Sequence, residues 1–134
     1  MARTFGPLSI TLPLRTTWEE TWQMMQNDGV TPVDLTGYEA RMFLLQNEDG
    51  DPVAGATPVI YTSEGLTPEL SIVAIDGRID LRVEAEDTKL LSPDNEDRTF
   101  AFEVELYIPA GVDAEYVMPL FKGYAAAKAR VELL

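Results

Sequence analysis

Carboxylates are the side chains of this sequence whose spacing could do chemistry, and they gather in four places. Glu103 and Glu105 stand two apart in "TFAFEVELYIP". On a strand that spacing puts both on one face, within the roughly 5–10 Å that glycoside hydrolysis requires of its two carboxyl groups. Glu19 and Glu20 lie beside Trp18 and Trp22, and indoles next to carboxylates can bind a carbohydrate or a partner surface. Two acidic turns, "NEDGD" from Asn47 to Asp51 and "DNEDR" with its acids from Asp94 to Asp97, could offer Ca²⁺ several oxygen ligands from one loop. Neither has the spacing of an EF-hand loop: in the first, Gly50 comes too early and no distal Glu closes the sphere. Each arrangement also has a plainer reading, as the wet face of an amphipathic strand, as core indoles, or as solvated hairpin turns. The plainer readings are the ones expected.

The sequence contains no Cys and no His. That removes disulfides, thiolate nucleophiles, thiolate or imidazole metal sites and every His-based triad. No cofactor and no enzymatic activity are expected. A net charge of −13, from 23 acidic and 10 basic residues, argues against nucleic acid and anionic membranes as partners, because phosphate binding needs a concentrated basic face. No apolar run approaches the ~20 residues of a spanning helix. The N-terminal "MARTFGPLSITL" lacks the apolar segment and cleavage site of a signal peptide, so a soluble protein made in the cytosol is expected.

These side chains must be positioned by strands, since period-two alternation recurs and helical periodicity is rare. Leu8, Ile10, Leu12 and Leu14 share one face of a first strand, which Pro13 assigns to a sheet edge. In the next, Trp18, Glu20, Trp22 and Met24 alternate with Glu19, Thr21, Gln23 and Met25, and "NDG" at Asn27 to Gly29 supplies a hairpin turn. "DLTG" then closes one segment and opens another, with Asp34 and Thr36 bonding nearby backbone and Gly37 taking a positive φ. The strand from Tyr38 becomes apolar on both faces by Phe43 and Leu45, as if covered on both sides. "LSIVAI", Asp76-Gly77 and "RIDLRVE" form the strongest hairpin signal, with Ile79, Leu81 and Val83 pointing one way. A short helical turn is predicted at about 85–91. Phe100, Phe102, Val104, Leu106 and Ile108 are assigned to the core, Glu103 and Glu105 to water. A closing segment, broken near Gly123, completes seven to nine strands. The prediction is all-β: a single antiparallel β-sandwich domain over residues 1–134, with an extended N-terminal arm at 1–8.

The order of "TWEETWQMM", "VDLTGYEARM", "DGRIDLRVEAEDTKLL", "FAFEVELYI" and "LFKGYAAAKARVEL" resembles a group of small structural proteins of tailed bacteriophages. The resemblance runs from about Trp18 to Val131. It implies an immunoglobulin-like or related sandwich, similar to N-terminal domains of baseplate and tail-fibre proteins, assembled into the virion in the host cytoplasm. Its expected partners are other virion proteins, in multiple copies within a symmetric assembly. Without a fibre shaft or receptor-binding tip, the resemblance favours a tail, baseplate or head–tail role over direct host recognition. A capsid decoration protein of the same fold is the alternative. So is a carbohydrate- or receptor-binding module using Trp18, Trp22, Tyr61, Tyr107 or Tyr116 as stacking platforms. Contact residues are expected where apolar side chains fall in segments of poor strand grammar: Phe5 and Pro7 in the arm, Tyr61 and Leu66 in the Pro- and Gly-rich stretch from Pro52 to Pro68, and Leu133 and Leu134 in the tail.

Overall fold

The computed structural model describes residues 8–109 and 116–130. Its most local feature is the "DLTG" turn. Asp34 Oδ1 accepts hydrogen bonds from the Thr36 N–H at 2.9 Å and the Thr36 hydroxyl at 2.6 Å, and the Tyr38 N–H returns to the Leu35 carbonyl at 3.1 Å. Leu35 is buried in the centre of this turn, so the turn is pinned to the core as it delivers the chain into β3 (Glu39–Glu48).

Around β3 the strands β1 (Leu8–Pro13), β4 (Asp51–Pro52), β5 (Val59–Thr62), β8 (Arg98–Ile108) and β9 (Tyr116–Lys128) complete one sheet. A second sheet holds β2 (Trp18–Gln23), β6 (Leu70–Val73) and β7 (Arg78–Val83) in the order β2-β7-β6. One core cluster joins Trp18, Leu70, Ile79, Leu81 and Val83 of the small sheet to Met42, Leu44, Phe102, Val104 and Phe121 of the large one. The protein is therefore an all-β sandwich. Burying a side chain of Leu or Val size contributes about 1.5–3 kcal/mol each, and this interface between the sheets is where most of them lie.

The helical turn falls where predicted, as α1 (Ala85–Leu91). Thr88, fully buried, anchors it through its hydroxyl 2.9 Å from the Thr16 carbonyl. The hairpin of β6 and β7 also forms, but a 3₁₀ turn over Ala74–Asp76 lengthens its connection. Gly77 ends that turn at φ 61°, and a Cβ there would stand 2.6 Å from the Met24 carbonyl oxygen, so no other residue fits without displacing the backbone.

Three expectations need correction. The sandwich is not wholly antiparallel: β1 is the expected edge strand, but it pairs in parallel with β9, Leu8 opposite Gly123. After Leu14, whose N–H bonds the Lys128 carbonyl at 3.1 Å, the chain crosses to the other sheet. Consecutive strands in different sheets owe each other no hairpin, which frees the direction of β1. Nor does β9 break at Gly123. It runs unbroken, and Gly123 is there because a Cβ would lie 2.0 Å from the Leu8 carbonyl oxygen. The irregularity comes earlier, opposite Val104 and Glu105, where the register of β9 skips Leu120 beside Pro119. This bulge turns both Leu120 and Phe121 into the core. Finally, Ile108 lies beyond the core, 43% exposed and opposite Tyr116.

Candidate interaction surface

On the outer face of the large sheet, cross-strand neighbours read Ile60–Phe43–Glu103–Lys122 in one row and Leu45–Ala101–Tyr124–Ser9 in the next. Phe43 and Leu45 are half-buried, and with Pro58, Ala101 and Tyr124 they line an open groove of about 550 Å³. The apolar second face of β3 is thus correct as pattern and wrong as inference: among the described residues no layer covers it. Beside the groove, across Tyr124, lies a polar cleft of about 710 Å³ bordered by Glu48, Asp49, Asp97, Arg98 and Lys128.

Along the same face, Glu105 corrects its assignment to water. It is 9% exposed, because Arg41 lies across it, donating from Nε to Glu105 Oε1. The Arg41 guanidinium also sits 4.3 Å from the centre of the Tyr107 ring. Tyr107 donates its hydroxyl to Glu64, and Ser63 donates to Glu39. Burial, then the Glu64 hydrogen bond, raises the Tyr107 phenol above its ordinary range. Glu103 stays exposed opposite Lys122. The two carboxylates of the sequence pair therefore have separate partners and do not converge on a common space.

The aromatic residues divide in an unexpected way. Trp18 is 1% exposed, with its indole N–H donated to Glu20 Oε1 at 3.1 Å. Trp22 packs 5.1 Å from Phe121. Tyr61 and Tyr107, expected on the surface, are buried at 6% and 3% exposure. Of the proposed stacking set only Tyr116 stands out into solvent, at 55%. Leu66, a predicted contact residue, is fully exposed. Phe5, Pro7, Leu133 and Leu134 lie outside the described residues.

The acidic turn at Asp94–Asp97 is occupied by the protein itself. Asp94 holds Arg98 through both oxygens at 3.0 Å and accepts the Ser92 hydroxyl, which keeps its carboxyl below the usual range. Asp97 accepts the Ala129 N–H at 2.7 Å, and Asn95 exchanges two hydrogen bonds with the Arg130 backbone. The turn is a clasp on the end of β9. At the other turn Asp49 and Gly50 take positive φ, as a tight hairpin requires, and Asn47 is buried. Among the described residues no cluster of three acidic side chains is arranged to hold a metal ion.

Sequence reasoning missed the outer groove. Its signal was present in Phe43 and Leu45, which alternate with core residues and therefore must face outward if β3 has only one covered side. No protein-family model and no curated protein matches this chain. Among solved structures it is similar to the periplasmic chaperone SfaE at 14% identity and a TM-score of 0.37, over 96% of this chain and 57% of that one. At that depth the likeness bears on neither activity nor partners.

Proposed function

We propose that this protein is a non-enzymatic structural component of a tailed-phage virion that binds other virion proteins at the tail, baseplate or head–tail region. The observation that carries the contact role is the uncovered apolar groove on the large sheet, flanked by exposed Ile60 and Tyr124. Soluble domains seldom leave a contiguous apolar face to water unless something covers it. Support for the virion setting is the order of motifs from the Trp-bearing strand to the closing strand. Those motifs fall on β2, the turn into β3, the β7–α1 unit, β8 and β9. The carbohydrate reading is disfavoured, because Trp18 and Tyr107 are buried and Trp22 is packed against Phe121. Negative-stain microscopy of virions of the encoding phage, labelled at the C-terminus of this chain, tests the reading. Label at the tail or neck is the expected result, and particles without label overturn it.

A further inference from the structure

Between β5 and α1 the surface opens into a cavity of about 280 Å³. Its walls include Ile60, Leu90 and Leu91, and its polar lining is Tyr61, Glu69 and Asp87. Tyr61 is 94% buried by its 6% exposure, yet its hydroxyl makes no hydrogen bond among the described residues. The hydroxyl is not sealed off: it meets the open space of the cavity, where an incoming donor can reach it. Its phenol is held above the ordinary range by burial first, then by Asp87 and Glu69, which line the same cavity. Neither Glu69 nor Asp87 forms an ion pair among the described residues, and no basic residue lines the cavity. Ile60 and Leu90 stand at 53% and 70% exposure, offering apolar contact to whatever approaches.

We infer that this cavity is a binding site for an arginine or lysine side chain presented by a partner polypeptide. The alkyl stem lies along Ile60, Leu90 and Leu91, and the cationic head donates to the Tyr61 hydroxyl between the Glu69 and Asp87 carboxylates. Chemistry selects the ligand: two carboxylates without an ion-pair partner among the described residues, Glu69 holding only the Thr62 N–H at 3.4 Å and Asp87 exposed, stand with the Tyr61 hydroxyl beside apolar side chains and match a cation on a long apolar stem. The apolar residues selects the source, because a free amine would leave Ile60 and Leu90 uncovered while a polypeptide backbone with neighbouring side chains would cover them. The chain's net charge of −13 draws such a partner in. The inference goes beyond the proposed function and holds wherever the partner resides.

The test is an NMR titration of the full chain with three probes: the blocked tripeptide acetyl-Val-Arg-Val-amide, its norleucine analogue, and butylguanidinium. The arginine tripeptide is expected to shift the Tyr61, Asp87 and Leu90 amides saturably. The norleucine analogue and butylguanidinium are each expected to bind more weakly, the former by at least about tenfold, the worth of a charged hydrogen bond. Glu69→Gln with Asp87→Asn, isosteric and near the surface, is expected to abolish the shifts while leaving the thermal transition in place. Tyr61→Phe is expected to weaken binding by about tenfold with the fold intact. Equal binding of the norleucine analogue overturns the cation site. Equal binding of butylguanidinium overturns the polypeptide source. Shifts spread over the acidic surface and unchanged in the Gln/Asn variant overturn the location.

Discussion

Arg41 covers Glu105 and lies over the Tyr107 ring, while Glu64 takes the Tyr107 hydroxyl. Side-chain exposures of 23% for Arg41 and 11% for Glu105 place the pair between surface and core. Arg41→Met leaves Glu105 under cover without its guanidinium, and the expected loss in chemical denaturation is about 1–3 kcal/mol, below the range for a fully buried pair. Adding Glu105→Leu should restore most of that loss; a double variant no better than the single would remove the pairing argument. A second residue-scale effect is titratable. The Thr31 hydroxyl and the Thr31 and Val30 N–H groups hold Asp28 at about 2, below its ordinary 3.8. A depressed folded-state value means that the stabilisation is present above the unfolded value and is lost as pH falls through the folded one. The stability gap between the parent and Asp28→Ala should therefore be open at neutral pH and close between about pH 4 and pH 2. A gap that is constant with pH would show that the turn gains nothing from the charge. At this scale the sequence was a partial guide. Asp34 and Thr36 could be read because their partners lie two residues apart. The burial of Tyr61, Tyr107 and Glu105 could not, because the groups that cover them are distant in the chain.

Alternation tells a strand which face is apolar, and it does so well for β7 and for most of β8. It does not name the neighbouring strand. Hence the β6–β7 hairpin and α1 were legible, being closed by local turns, whereas the parallel pairing of β1 with β9 was not. Gly123 shows the same limit from the other side. A lone glycine in a strand pattern signals either a break or a close backbone approach, and only the position of Leu8 decides for the second. Gly123→Ala is expected to push β1 from β9, destabilising by about 1–3 kcal/mol as overpacking does. Hydrogen exchange should quicken in β1 and the facing part of β9 and remain slow in the small sheet. Uniform loss of protection, or none, would refute this account of the glycine.

For the whole molecule, the two surface features are neighbours, with Ile60 of β5 bordering both. The groove crosses β3, β8 and β9, and the cation cavity opens between β5 and α1. With a net charge of −13, copies of the chain repel one another at low ionic strength, so contact with a different and more basic protein is favoured over self-association. The outer groove, on which the proposed contact role rests, is legible in hindsight from Phe43 and Leu45. What would cover it is set by the surface of another molecule, so this sequence carries no signal for it. Cross-linking mass spectrometry on purified virions of a phage that encodes this chain tests the proposed virion role most directly. The account predicts that Lys122, beside the groove, and Lys128, on the adjoining cleft, cross-link to other virion proteins. Particles that lack the chain, or that contain it without a cross-link from either lysine to another protein, would contradict it.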